Sequence, residues 1–264
     1  MEYTKQSEQQ CYVIRKENCP AVYHNEEPVP VEPIVHLNYG AGSPESFLET
    51  GKFDARKMMT CVQSNGGLVL EGSRILDFGC GSGRMLRWIP DHVAKGEYWG
   101  CDTTAKAITW AQAHLGPRFH LFTNLREPHL PFSDRYFDFI YAGSVFSHID
   151  DLADFWLLEL RRVLKVNSGW LFVTFQDEHS LELISRQNTA ATKGYFQRLY
   201  NELGIEKYIG KSFNKVVLGK TAYTSQVFYD SSWFKSHLES YFSTVVIIPE
   251  AYGWQSGALL SYLG

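Results

Sequence analysis

The chain has 264 residues, 44% of them hydrophobic and 15% aromatic, which suits one sizeable core and excludes a disordered chain. Its 25 Lys and Arg against 29 Asp and Glu leave a formal charge of -4 with no basic block, so no nucleic-acid partner is expected. No apolar run approaches the ~18 residues of a membrane span, and Met1 to Gln10 lacks a signal-peptide core, so a cytoplasmic protein without membrane contact is expected.

Cysteines 11, 19, 61, 80 and 101 form no CxxC pair and read as reduced thiols. The histidines show no HExxH or paired ligand spacing, so no metal site is expected.

In chain order, residues 1–45 read as an extended N-terminal arm, polar and bearing Pro20, Pro28, Pro30 and Pro33. Ser46 to Gln63 carries Phe47, Leu48, Phe53, Met58, Met59 and Val62 near helical spacing, interrupted by Gly51, and predicts one or two helices. Arg74 to Phe78 is a short apolar strand running into glycines, and Arg84 to Ile89 a helix stopped by Pro90.

Glu97 to Cys101 is a second strand. It is followed by a helix over Thr103 to Leu115, capped by Asp102 or Thr103. Phe119 to Phe122 and Phe137 to Ala142 are the third and fourth strands. Asp151 to Leu164 is a helix with Leu152, Phe155, Trp156, Leu160 and Val163 as one stripe. After the Asn167-Ser-Gly169 turn comes a fifth strand, Trp170 to Phe175.

Residues 178–222 break the alternation and read as an insertion over the strand ends. A helix over Ser232 to Tyr241 precedes two β segments, Thr244 to Ile248 and Ala258 to Leu263, joined through the Gly253 to Gly257 turn.

Strands and helices alternating at this spacing predict an α/β fold, an open parallel sheet covered on both faces, with ligands outside the carboxyl ends of its strands. The polar and glycine residues collect there. Asp77-Phe-Gly79-Cys80-Gly81-Ser-Gly83 places an acid before three alternating glycines, between a strand and a helix. Glycines let the backbone turn sharply and meet a ligand with no Cβ between them. Asp77 can face a cation and the turn's N-H groups a carboxylate, which together describe an amino acid headgroup. Asp102, closing the second strand, can accept hydrogen bonds from ribose hydroxyls.

These residues resemble the class I S-adenosylmethionine-dependent methyltransferases of the type 11/12 kind. Their first motif matches Asp77 to Gly83 and their second acid Asp102. The later landmarks are similar to Leu130-Pro-Phe132, Phe137 to Ile140 and Leu160 to Leu164. The resemblance covers roughly residues 70 to 176.

It implies a Rossmann-like doubly wound sheet of seven strands with an antiparallel last strand. The methyltransferase domain would span 46–264, and S-adenosyl-L-methionine would be the cofactor. Gly79 and Gly81 would approach its methionine part, Asp102 its ribose, and Asn124 with Leu125 its adenine. Cys80, Gly83, Thr103, Gly143 and Ser144 would complete the cofactor site.

A nicotinamide oxidoreductase would need a third glycine three residues after Gly81, where Arg84 stands. A non-catalytic cofactor-binding scaffold is a further alternative.

For the acceptor, Ala142-Gly-Ser-Val145 stands where Asn-Pro-Pro-Tyr marks relatives that methylate base or glutamine nitrogens. The expected acceptor is therefore a small molecule methylated on oxygen or nitrogen, such as a sugar or secondary metabolite. His148, just past the fourth strand, is the candidate general base. Tyr39, Tyr223 and Trp254 are candidate substrate contacts.

Overall fold

In the computed structural model, residues 19–31, 43–186, 204–219 and 225–264 are described, with the backbone alone for residues 4–6, 11–13 and 185. Strands β1 (Thr4–Gln6) and β2 (Cys11–Val13) pair antiparallel. Strands β3 (Ala21–His24) and β4 (Glu27–Pro30) form a hairpin, within the stretch read as an extended arm. Asn25 and Glu26 take φ of 50° and 67° at its tip, the geometry a two-residue hairpin turn demands.

Helix α1 (Pro44–Ser64) is a single helix capped by the Ser43 hydroxyl, which accepts from Ser46 N at 3.1 Å. Gly51 does not break it. A Cβ there would lie 2.3 Å from the Arg84 carbonyl oxygen, so the glycine admits close packing against the chain after β5. Phe53, expected on the buried stripe, is instead 52% exposed.

Strand β5 (Arg74–Phe78) is followed by tight turns and a 3-10 segment, Leu86–Asp91, rather than the α-helix expected over Arg84 to Ile89. Pro90 lies inside that segment, where its ring and missing N-H disfavour a continued α-helix. Then come β6 (Glu97–Asp102), α2 (Ala105–His114), β7 (Phe119–Thr123) and β8 (Phe139–Ala142).

Next are α3 (Ala153–Val163), β9 (Trp170–Asp177) and α4 (Glu178–Arg186). The final elements are β10 (Lys215–Leu218), β11 (Gln226–Tyr229), α5 (Ser231–Leu238), β12 (Thr244–Tyr252) and β13 (Gln255–Ser261).

The sheet runs β7-β6-β5-β8-β9 in parallel. It continues through β13, antiparallel to β9, to β12, antiparallel to β13. At the carboxyl end of β9, Gln176 and Asp177 also pair with Phe228 and Tyr229 of β11, which carries β10 outward. This is the expected doubly wound Rossmann-like sheet, with β11 and β10 added where sequence patterning gave no strand. Chain order reverses between β5 and β8, and ligands of open α/β sheets bind beside such a switch point.

Alternate residues of the strands feed two cores. Leu76, Phe78, Ile140, Leu171 and Val173 pack with Trp156, Leu157, Leu160 and Val163 of α3 and with Phe234 and Leu238 of α5. On the other face, Ile75, Phe139, Tyr141 and Phe172 pack with Ala55, Met58, Met59 and Val62 of α1. Phe155, placed on the α3 stripe by spacing, is 62% exposed, because Leu157 takes the inward position beside Trp156.

Candidate active site

The chain leaves β5 through a turn in which Gly79, Gly81 and Gly83 take φ of 84°, 55° and 76°, the left-handed region that side chains disfavour. Space adds to the constraint: a Cβ on Gly79 would lie 2.4 Å from Val145 Cγ2, and one on Gly83 2.4 Å from Leu115 Cδ1. The turn is pinned to β6 by Gly79 N and Cys80 N, which donate to the Cys101 carbonyl at 2.8 and 2.9 Å.

Asp102 faces the turn. Its Oδ2 accepts from Gly81 N at 2.9 Å and its Oδ1 from Thr104 N at 2.7 Å, so one carboxylate joins the glycine turn to the start of α2. Thr103 beside it is exposed. Asp77 lies buried, 4% exposed, and accepts from the Tyr141 hydroxyl at 2.8 Å. Burial pushes its carboxyl up to about 7; the Tyr141 bond opposes that rise and the nearby Asp102 charge adds to it.

Asn124 N donates to the Asp102 carbonyl at 3.2 Å, which brings the end of β7 beside the end of β6. The Asn124 amide donates to the Leu125 carbonyl at 2.8 Å, while its Oδ1 is buried with no partner. Leu125 itself is 59% exposed.

Past β8, a Cβ on Gly143 would make ordinary contact with the Tyr252 ring at 3.5 Å, and Ser144 takes φ 56°. Ser144 is held by a three-residue ring. Its N donates to Thr174 Oγ1 at 2.7 Å, Thr174 donates to Gln255 Oε1 at 2.7 Å, and Gln255 Nε2 donates to Ser144 Oγ at 2.9 Å.

His148 places Nδ1 2.8 Å from the Ser225 carbonyl and 3.3 Å from Gln226 Nε2. The shorter contact, to an obligate acceptor, puts the proton on Nδ1 and leaves Nε2 with its lone pair. Burial lowers the His148 pKa, favouring the neutral ring, with the Ser225 bond partly opposing. Trp254 sits in the β12-β13 turn, its Nε1 3.4 Å from Gln176 Oε1. Tyr39 and Tyr223 lie outside the described residues.

Sequence patterning missed several polar groups gathered here. Tyr141, Thr174 and Gln176 sit inside strands whose signal is apolar, and only the fold brings them to Asp77, Ser144 and Gln226 respectively. Arg84 was read only as the residue that breaks a dinucleotide motif. Its guanidinium is buried against the Asp54 carboxylate of α1 at 2.8 Å and also donates to Thr50 and the Tyr252 hydroxyl.

Two surface hollows, one lined by Pro128, Leu152, Phe155 and Leu158 and one by Trp99, Gln112, Gly116 and His120, include none of these groups. Chemistry rather than depth therefore marks the site. Among the described residues, no three His, Cys, Asp or Glu side chains are placed to hold a metal ion.

Residues 76–173 match a family described as a methyltransferase domain, which covers the glycine turn, Asp102, Asn124, Ser144 and His148. This match marks residues 76–173 as similar to a methyltransferase domain, within a fold similar to that of S-adenosylmethionine-dependent methyltransferases.

Among solved structures, the chain is similar to an S-adenosylmethionine-dependent methyltransferase from Aquifex aeolicus, at 16% identity over 83% of this chain and 98% of that one, with a TM-score of 0.51. A Pyrococcus horikoshii protein matches at 16% identity, 84% and 100% coverage and TM-score 0.54. The magnesium protoporphyrin IX methyltransferase from Synechocystis, solved with S-adenosylhomocysteine, matches at 14% identity, 86% and 92% coverage and TM-score 0.52. At these identities the likenesses establish the fold.

The residues present fit an adenosyl amino acid. Asp102 engages one backbone donor per carboxylate oxygen, which leaves lone pairs for hydroxyl donors. The buried, unpartnered Asn124 Oδ1 is an acceptor suited to an exocyclic amine.

Proposed function

We propose that the cofactor is held by Asp77, Gly79, Cys80, Gly81, Gly83, Asp102, Thr103, Asn124, Leu125, Gly143 and Ser144, in a domain spanning 46–264. Its acceptor is a small molecule methylated on oxygen or nitrogen, in the class of sugars and secondary metabolites, and the enzyme works in the cytoplasm. When bound, S-adenosylmethionine supplies an electrophilic methyl group on a sulfonium. The protein's task is then to orient the acceptor, exclude water and take a proton where the acceptor must lose one.

One observation carries the small-molecule reading. Polar groups beyond those assigned to the cofactor meet near the end of β9 and the start of β11: Trp254 Nε1 lies 3.4 Å from Gln176 Oε1, and Gln176 Nε2 donates to Gln226 Oε1 at 3.0 Å, with His148 beside them, its Nδ1 on the Ser225 carbonyl. Both glutamines are buried, and Trp254 packs against the apolar cluster of Leu181, Ile184, Val216, Leu218 and Phe228. Buried polar side chains set beside an apolar cluster suit a compact acceptor better than a polymer. His148 Nε2 is the base, and Trp254 a contact for the acceptor.

The test is a methyl-transfer assay on phenols, amines, sugars, protein and nucleic acid. Turnover on a small acceptor, with kcat falling about 10²- to 10⁴-fold in His148→Ala, is the expected result. Turnover confined to polymers would overturn the acceptor class. A near-normal His148→Ala rate would remove the base.

A further inference from the structure

Arg87, in the 3-10 segment behind the glycine turn, is 4% exposed and joins two parts of the chain far apart in sequence. Its Nε donates to the carbonyl of Gly83, the last glycine of the turn, at 3.2 Å. Its Nη1 donates to the Pro28 carbonyl in the β3-β4 hairpin at 2.7 Å and lies 3.7 Å from the Glu27 carboxylate. The guanidinium lies 5.5 Å from the Phe47 ring centre and 5.9 Å from that of Trp110, and its Nη2 is buried without a partner. Burial pulls its pKa down to about 10, with Glu27 opposing.

The same hairpin segment also grips α2. Trp110 Nε1 donates to the Pro20 carbonyl at 3.0 Å, and His114 Nε2 lies 2.6 Å from the Cys19 carbonyl. Val29 is buried against Phe47 and Leu48 of α1. The hairpin therefore holds the glycine turn through Arg87 and α2 through Trp110 and His114. Asp102 joins those two elements from the other side, through Gly81 N and Thr104 N. Whatever fixes the spacing between turn and α2 also sets the geometry Asp102 presents to a ligand.

We propose that Arg87 is a positioning residue that couples docking of the N-terminal hairpin, residues 19–31, to cofactor binding between the glycine turn and Asp102. This rests on the assignment of Asp102 to the cofactor. Coupling of this kind is reciprocal: the cofactor tightens the hairpin to the degree that the hairpin tightens the cofactor.

Hydrogen exchange of residues 19–31 and S-adenosylhomocysteine affinity in the full chain test it together. S-adenosylhomocysteine slows exchange in the hairpin of the wild type. Arg87→Met abolishes that protection and weakens binding about fivefold or more. Arg87→Lys does not rescue, because an ammonium lacks the planar fork that reaches two carbonyls at once.

Trp110→Phe loosens the hairpin without touching Gly83, weakens binding in the same direction, and carries the test if Arg87→Met does not fold. Hairpin exchange indifferent to S-adenosylhomocysteine, with both variants binding as wild type and Asp102→Ala still weak, overturns the coupling alone. Wild-type binding in Asp102→Ala overturns the cofactor assignment, and the coupling with it.

Discussion

Asp102→Ala removes a carboxylate that serves two backbone donors, Gly81 N at 2.9 Å and Thr104 N at 2.7 Å. Hydrogen bonds to a charged group contribute about 1.5–3 kcal/mol each, and the lower end applies to a half-buried carboxylate. The apo protein is then expected to lose about 2–4 kcal/mol, a fall in Tm of roughly 5–12 °C for a chain of this size.

If the same carboxylate also accepts two ribose hydroxyls, a second loss of about 3 kcal/mol falls on the complex alone, weakening the Kd roughly 150-fold. Calorimetric melting of the apo protein and isothermal titration with S-adenosylhomocysteine read the two losses separately. A lowered Tm with unchanged Kd would refute the ribose assignment and leave Asp102 as a clasp between turn and helix.

Asp77 gives a pH signature. Its folded pKa of about 7 lies above the unfolded value, so between about 4 and 7 the folded state holds a proton the unfolded chain has lost. Stability therefore falls as pH rises through that window. Asp77→Asn flattens the fall, by about 4 kcal/mol at most; urea denaturation at pH 5 and 8 measures it, and equal slopes for both proteins would contradict it.

Gly83→Ala should cost about 1–3 kcal/mol, because φ is 76° and the new Cβ meets Leu115 Cδ1 at 2.4 Å; a neutral substitution in the same denaturation assay would mean that the turn relaxes freely. Asp54→Ala leaves the Arg84 guanidinium, 6% exposed, buried without its carboxylate, an expected loss of about 3–5 kcal/mol. Adding Arg84→Met should recover much of that, and a double variant as unstable as the sum of the singles would count against a coupled pair.

The parallel core was legible because β5, β6, β7, β8 and β9 are short apolar runs each ending in glycine or a polar residue, a pattern set by burial on both faces. The glycine turn and Asp102 were legible for the same local reason: the motif is contiguous and the acid closes a strand. What was hidden depends on long-range packing. Gly51 reads as a helix breaker until Arg84 is seen against it, and Phe53 and Phe155 read as core until neighbours take the inward positions.

The β3-β4 hairpin was hidden by its prolines. Pro28 and Pro30 suggest extended chain, yet a lone two-stranded hairpin tolerates them on its edges, and Arg87 and Trp110 supply the partners. β11 stayed unread because its four residues gain a place only by pairing with the last two residues of β9. The polar chain through Gln176, Gln226 and Trp254 joins residues scattered over three elements, and no spacing in the sequence announces it.

A crystal structure with S-adenosylhomocysteine tests the account most directly. The predicted result is the ribose hydroxyls on the Asp102 carboxylate, the adenine amine on Asn124 Oδ1 and the amino acid end against the backbone of Gly79 to Gly83. Ligand bound elsewhere, with Asp102 still occupied only by Gly81 N and Thr104 N, would contradict it.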